Sequence, residues 1–126
     1  CGNVVHVHDL AVYVTAESTP AGRAAAAYVQ QGEAPAERVI ALENGDGVSY
    51  TVPQHIRPAN ADKAADVFFR VRRVCKTSAI QVRSGDRVIA EYKRDHLAPG
   101  EMEHILLPRK LLDEAGSALS VCIAEQ

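Results

Sequence analysis

Residues 67–74, with the sequence VFFRVRRV, establish the fold class, because apolar and basic side chains alternate through them. A β-strand points successive side chains to opposite faces of its sheet, so this alternation predicts one buried and one solvated face. Short strand-like stretches recur on both sides of it: residues 38–42, 48–52, 79–83, 87–92, 104–107 and 119–123. About seven short strands separated by turns predict a mainly β fold, an Ig-like or fibronectin-like β-sandwich preceded by an N-terminal helix.

Turn residues mark where these strands end. The sequence Asn44-Gly45-Asp46-Gly47 predicts a hairpin between the first two strands, since Asn-Gly and Asp-Gly favour the backbone conformations of tight turns. Gly85-Asp86 predicts a second turn further along the chain. Residues 53–63 are predicted to form a loop, and residues 109–115 a single helical turn.

The first 31 residues are rich in alanine and valine and predict a helix ahead of the β region. Asp9 is a suitable N-cap for a helix beginning at Leu10, and Gly32 is a natural stop. Pro20 predicts either a kink or a restart of the helix, because its ring clashes with the preceding turn.

The change in composition predicts three segments. Residues 1–31 form a loop and a helix, residues 32–36 form a linker with the sequence GEAPA, and residues 37–126 form the β domain. Because the first residue is Cys1 rather than Met, we expect the chain to be a piece of a longer protein.

The composition argues against several classes of function. With 14 basic and 16 acidic residues, the net charge of −2 gives no general attraction to nucleic acid or to an anionic membrane. No apolar run approaches the roughly 20 residues that a membrane-spanning helix needs. The three cysteines, Cys1, Cys75 and Cys122, are too widely spaced for a metal or redox motif, so we expect reduced thiols and a cytoplasmic location. Cys75 and Cys122 are expected to be buried as small apolar side chains.

The N-terminal segment resembles a known protein family. Cys1-Gly2-Asn3 precedes a helix that carries Ala21-Gly22-x-Ala24-Ala25 and Tyr28-Val29. This arrangement resembles the closing FAD segment of the pyridine nucleotide-disulfide oxidoreductases. The stretch from Gly2 to Leu10, with the sequence GNVVHVHDL, looks most like a bacterial subgroup, the NAD(P)/FAD-dependent oxidoreductases. The family has Gly-Asp where this chain has Gly2-Asn3. The resemblance covers about a quarter of the chain, residues 1–31.

The resemblance implies that residues 1–31 are the remnant of an FAD-binding domain. In the intact parent enzyme it assigns Gly2, Asn3, Asp9 and Leu10 to the cofactor site. Gly2 would let the backbone approach FAD closely, and Asn3 would form a hydrogen bond with a ribityl hydroxyl. The start of the helix after Asp9 would direct its N–H groups at the flavin pyrimidine edge. NAD(P) would be the cosubstrate of the parent enzyme.

The nucleotide-binding motif of such enzymes does not occur in this chain. No GxGxxG sequence is found in the 126 residues, so we do not expect the chain alone to bind FAD or to have catalytic residues. The resemblance therefore implies a non-catalytic C-terminal module that docks the rest of the flavoenzyme or a redox partner subunit. We also expect the N-terminal helix either to pack on the β-sandwich or to dock against another copy of the chain as a homodimer. The alternative is a stand-alone β-sandwich protein-interaction module with an accessory helix.

The sequence His6-x-His8-Asp9 is a candidate for a metal site. On a strand, His6 and His8 would project to the same face, and Asp9 could assist. A complete site requires a third or fourth ligand, and the sequence offers no local candidate, so we predict no bound metal. In the parent enzyme, either histidine could instead lie near the flavin and donate a proton.

Arg70, Arg72, Arg73 and Lys76 form a basic stripe. Such a stripe could dock an acidic partner or a flavin phosphate. Alternatively, it could be a sheet face that is exposed to solvent. We predict the solvent-exposed face, because runs of charged residues most often lie on solvated surfaces.

Overall fold

The computed structural model describes residues 3–32, 38–58 and 63–125. The chain divides into two compact units, Cys1–Ala36 and Glu37–Gln126. Within the described residues the helices are α1 (Ala11–Gln31) and α2 (Arg109–Glu114), and the strands are β1 (Ile40–Asn44), β2 (Val48–Val52), β3 (His55–Ile56), β4 (Ala64–Val71), β5 (Ser78–Ser84), β6 (Arg87–Arg94), β7 (Glu103–Pro108) and β8 (Ala118–Glu125).

The first unit contains α1, which begins one residue later than predicted. Leu10, not Asp9, occupies the N-cap position, with an extended backbone at φ −132° and ψ 145°. The reason is that the Leu10 carbonyl accepts the first helical hydrogen bonds, from the N–H groups of Tyr13 and Val14. The prediction that Asp9 caps a helix beginning at Leu10 is therefore wrong by one residue.

Pro20 lies inside α1, which runs through it as one continuous helix. A restart of the helix at this point is therefore not observed. Proline lacks a single backbone N–H donor, and the alanine run at residues 24–27 that follows favours continuation of the helix. The predicted stop at Gly32 is confirmed: its φ is 77°, and its N–H donates to the Tyr28 carbonyl at 2.8 Å.

The second unit holds two β-sheets, and the prediction of a mainly β fold with an N-terminal helix is confirmed. One sheet has the strand order β3-β1-β8-β5-β6, and the other has the order β2-β4-β7. The β1–β8 pair is parallel, and the remaining pairs are antiparallel. The predicted loop over residues 53–63 contains the short strand β3, whose two residues are too few to show an alternating pattern.

The predicted hairpin at Asn44–Gly47 is wrong, because this turn connects two different sheets. β1 pairs with β3 and β8, whereas β2 pairs with β4. The turn is held instead against β8: the Gly45 N–H donates to the Val121 carbonyl at 2.7 Å, and the Ile123 N–H donates to the Asp46 carbonyl at 2.8 Å. By contrast, β5 and β6 do form an antiparallel hairpin through Gly85, which has a φ of 61°.

Both sheets contribute to a single hydrophobic core in the second unit. Its members are buried aliphatic and aromatic side chains, among them Ile40, Val48, Phe69, Ile80, Val82, Leu107, Leu119 and Val121. Cys75 and Cys122 are buried free thiols, as predicted, and burial raises the pKa of each.

The alternation predicted for residues 67–74 holds only in part. Val67, Phe68 and Phe69 are buried in succession, and the strand ends at Val71. Phe69 enters the core, while the Phe68 ring is stacked on the His104 ring of β7 with centroids 4.6 Å apart. The face expected to be solvated is therefore covered locally by an aromatic contact.

In the part of the chain that the structure describes, all the residues of the hydrophobic core lie between Ile40 and Ile123. We therefore expect a fragment of residues 37–126 to fold without the first unit and to unfold cooperatively, because it keeps the complete core. Circular dichroism, urea unfolding and amide dispersion in NMR spectra test this. An unfolded fragment would show that the helical segment belongs to the β core.

An ion pair between Arg94 and Glu103 links the two sheets. The Arg94 Nε on β6 lies 3.2 Å from the Glu103 Oε2 on β7. Burial raises the pKa of the Glu103 carboxyl, and the hydrogen bond and positive charge of Arg94 do not offset this effect. In the folded protein Glu103 is thus a weaker acid than an ordinary glutamate.

We expect the contribution of Glu103 to stability to decrease as the pH rises. Between the unfolded pKa, about 4.3, and the higher folded pKa, the folded state holds the additional proton. This contribution is fully present below the unfolded pKa and is lost as the pH rises through the folded pKa. The free energy of unfolding, measured with urea at several pH values in this range, should decrease with rising pH in the wild type and in the exposed control Glu114→Gln. This dependence on pH should be absent in Glu103→Gln. An equal slope in all three proteins would contradict the assignment.

Candidate functional site

A cluster of His6, His8 and Glu17 is the candidate functional site, and it lies within the first unit. His6 and His8 precede α1 in a segment of turns and bends, so the expectation that they sit on a strand is wrong. Glu17 is on α1, in the second turn of the helix. The backbone folds back over the start of α1 and brings both imidazoles to the Glu17 carboxylate.

The Glu17 carboxylate bridges the two imidazole rings. The His6 Nε2 lies 3.0 Å from the Glu17 Oε1, and the His8 Nε2 lies 2.6 Å from the Glu17 Oε2. The two rings meet edge to face, with centroids 4.3 Å apart and an interplanar angle of 63°. A carboxylate accepts hydrogen bonds and does not donate them, so each Nε2 carries the proton in these contacts.

The cluster is shielded from solvent. The side chains of His6 and His8 are 3% and 0% exposed, and the side chain of Glu17 is 18% exposed. Burial alone raises the pKa of Glu17, but hydrogen bonds from His8 and His6, together with their positive charge, outweigh it and lower the pKa. Glu17 is therefore an ionised carboxylate at neutral pH, and it lies between the Nε2 atoms of the two imidazole rings.

Neighbouring residues hold the loop in this position. The Asn3 Oδ1 accepts a hydrogen bond from the His8 N–H at 3.4 Å. The ring of Tyr13, four residues before Glu17 on α1, has its centroid 6.2 Å from that of His8. Because residues four apart share one face of a helix, Tyr13 flanks the carboxylate.

Three of the four residues that the family resemblance assigns to FAD lie in the described segment before α1, which also carries His6 and His8. Gly2 lies outside the described residues. Asn3 is exposed apart from its contact with His8, Asp9 immediately precedes the N-cap, and Leu10 is the N-cap with an exposed side chain. Their role in binding FAD remains a prediction.

Glu17 was not found by reasoning from the sequence. One feature of the sequence could have identified Glu17, because it is the one acidic residue of the 21-residue helix α1. The separations of nine and eleven residues from His8 and His6 match no local metal-binding spacing. The bend before α1 creates the contact, and this bend has no sequence pattern of its own.

The basic stripe of the second unit is largely engaged with its own backbone and side chains. The Arg70 Nε donates to the Tyr50 hydroxyl at 3.2 Å, and the Arg72 Nε donates to the Val48 carbonyl at 3.0 Å. Arg73 pairs with Glu125 at 2.8 Å. These contacts give the arginines a structural role in the β unit.

None of the described helices is both long enough and apolar enough to cross a membrane. No family model, curated protein or solved structure matches this chain.

Proposed function

We propose that this chain is the C-terminal part of an FAD-dependent, NAD(P)-linked oxidoreductase. The first unit contributes a turn and a helix to the flavin domain, and the second unit is a non-catalytic module that docks a subunit or a redox partner. The observation that carries this proposal is the exposure of α1. All 21 residues of this helix are described, and none of them is buried.

The surface of α1 has the composition of a helix that packs inside a larger domain. Val12, Tyr28 and Val29 on α1, and Leu10 at its N-cap, all leave more than half of their surface exposed. Ala21, Gly22, Ala24 and Ala25 are exposed as well, and such small side chains allow neighbouring backbones to approach closely. A helix that presents apolar and small residues around much of its circumference is typical of a buried helix. The remainder of a flavin domain, as the resemblance implies, would cover this surface.

The start of α1 also supports the proposal. Among the described residues, the N-cap Leu10 makes no side-chain capping hydrogen bond. The first N–H groups of a helix point outward with a partial positive charge, which suits the flavin pyrimidine edge and its negative charge in the reduced state. Asn3, whose amide group can donate to a ribityl hydroxyl, lies on the loop ahead of this helix.

For the second unit we propose an Ig-like or fibronectin-like sandwich. Both sheets contribute to one hydrophobic core, and the Arg94–Glu103 pair and the hydrogen bond from the Tyr92 hydroxyl to the Leu106 carbonyl connect β6 to β7. Facing sheets with a shared core are the defining feature of a sandwich. Such a module supplies surfaces for docking rather than reactive groups.

The complete reading frame tests the proposal. We expect two GxGxxG units upstream of this chain, a yellow full-length protein with one FAD per chain, and reduction of that FAD by NADH or NADPH. The isolated chain should purify without flavin. A full-length protein that lacks both the motifs and the flavin would overturn the proposal.

In the full-length protein, Asn3→Leu should weaken FAD retention. A buried polar group left without its partner costs on the order of 1–3 kcal/mol, which corresponds to roughly 5- to 150-fold weaker binding. Fluorescence of released FAD during dialysis measures this loss. Gln30→Leu, at an exposed position of α1, is the control for the added apolar side chain. Equal retention in the wild type and Asn3→Leu would remove Asn3 from the site.

A stand-alone protein-interaction module is the second candidate. The observation that favours it is the confinement of the hydrophobic core to residues 40–123, which allows the β unit to act without a flavin domain. An upstream frame without nucleotide-binding motifs, together with a folded fragment of residues 37–126, would select this candidate.

A further inference from the structure

We propose that His6, His8 and Glu17 bind a divalent transition-metal ion, with zinc as the natural occupant. This proposal is independent of the proposed flavoprotein function. The absence of a metal was predicted because the sequence offered no third ligand near the two histidines. The fold supplies that ligand, since Glu17 on α1 reaches both imidazoles.

The spacing of the three ligand atoms suits one ion. One atom from each of His6, His8 and Glu17 lies within 4.8 Å of the other two. In a tetrahedral zinc site with bonds of about 2.0–2.2 Å, neighbouring ligand atoms are about 3.4 Å apart. The His6 and His8 Nε2 atoms lie 3.0 Å and 2.6 Å from the Glu17 oxygens, and none of the three ligand atoms is more than 4.8 Å from another. Small side-chain rotations therefore place all three groups around a common centre.

The chemistry of the ligands selects the type of metal. Two imidazole nitrogens and one carboxylate oxygen suit zinc and its neighbours, whereas magnesium and calcium prefer sites made entirely of oxygen. On binding, the ion takes the place of the Nε2 protons that now form hydrogen bonds to the carboxylate, which leaves each imidazole neutral with its proton on Nδ1. The carboxylate of Glu17 contributes a negative charge, which offsets part of the charge of the ion.

The surroundings resemble those of a built site rather than a surface cluster. Both histidine side chains are at most 3% exposed, and the His8 backbone N–H is fixed by Asn3. Among residues 3–32, 38–58 and 63–125, these three residues form the one group of at least three His, Cys, Asp or Glu with this geometry. His96 and His104, in the second unit, each pair with a single acidic side chain.

A set of three protein ligands leaves at least one coordination position for water or another molecule. Structural zinc sites are usually closed by four protein ligands, whereas His₂Glu sets are found where an open position is used. The proposed ion would therefore hold the N-terminal loop on α1 and keep one coordination position that the protein does not fill.

Metal titration of the intact 126-residue chain tests the proposal. After removal of metal with a chelator, cobalt(II) should bind one ion per chain and give the visible absorption of a four- or five-coordinate nitrogen–oxygen site. Zinc should displace it, and calorimetry should give the same stoichiometry. Glu17→Gln and His8→Gln should each weaken binding by at least roughly a hundredfold, because each removes a direct ligand. His55→Gln and Glu43→Gln, both at exposed positions of the second unit, are the matched controls and should bind as the wild type does.

The outcomes separate a metal site from a purely structural cluster. Wild-type affinity in Glu17→Gln and His8→Gln, or no saturable binding by the wild type, overturns the proposal. Helix content from circular dichroism shows whether each variant retains α1. As a second measurement, the ¹⁵N resonances of the His6 and His8 Nε2 atoms should shift on adding zinc, while those of His55 should not. Unchanged resonances at His6 and His8 also overturn it.

Discussion

Replacing Phe69 with alanine should destabilise the β unit by about 3–5 kcal/mol, a large part of the roughly 5–15 kcal/mol typical of a domain. Phe69 has no exposed surface and lies on β4, the middle strand of the three-stranded sheet, opposite Thr51 of β2 and Glu103 of β7. Its ring belongs to the core to which both sheets contribute. Alanine leaves a cavity that rigid neighbouring strands cannot close.

Phe68→Ala is the matched control for this prediction. Phe68 precedes Phe69 on the same strand, but its ring packs against His104 outside the central core. We expect a clearly smaller loss in this variant, measured as the free energy of unfolding in urea. Equal losses at the two positions would contradict the larger contribution that we expect from Phe69.

Gly45→Ala should cost at least about 1–3 kcal/mol, because it forces a side chain into a closely packed corner. A Cβ added at Gly45 would lie 2.7 Å from both the Val121 carbonyl oxygen and the Cys122 Cβ. Relief requires a backbone shift, which would strain the hydrogen bonds from Gly45 to Val121 and from Ile123 to Asp46. We therefore expect weaker attachment of the turn to β8 as well as lower stability.

Gly100→Ala separates this steric effect from the general effect of replacing a glycine. A Cβ added at Gly100 meets no atom within 4 Å, and its backbone does not have a positive φ. This variant should be neutral or slightly stabilising. The readouts are thermal unfolding and hydrogen exchange of the Ile123 amide, and unchanged values in Gly45→Ala would disprove the close approach.

Strands with a regular pattern were predictable from the sequence. β2 lies at residues 48–52 as expected, and the hairpin of β5 and β6 forms at the predicted turn. Local alternation and turn residues carry this information, because each depends on a few adjacent positions. The sheet assignment of the first strand was not predictable in this way. The sequence at residues 44–47 has the chemistry of a hairpin, but the distant strand β8 pairs with β1 and holds the turn.

In the candidate site, too, the residues that are close in sequence were predictable, and the contact with a more distant residue was not. His6 and His8 were identified as potential ligands from their spacing. Glu17 was missed because a bend with no sequence pattern places it beside them. The N-cap shift from Asp9 to Leu10 has a similar origin, since the loop conformation determines which carbonyl begins the helix. The proposed metal ion follows from a contact that the linear sequence does not reveal.

The position of β8 has a consequence for biosynthesis. This strand is central in the five-stranded sheet, where it lies between β1 and β5, yet it is the last strand of the unit to be translated. Until residues 118–125 leave the ribosome, β1 and β5 each present an unpaired edge, although the β5–β6 hairpin and the β2–β4 pair can already form. Exposed strand edges are prone to wrong pairing and to aggregation while the sheet is incomplete. A premature stop codon ahead of Ala118 would therefore leave a product that cannot assemble this sheet, however much of the preceding sequence it retains.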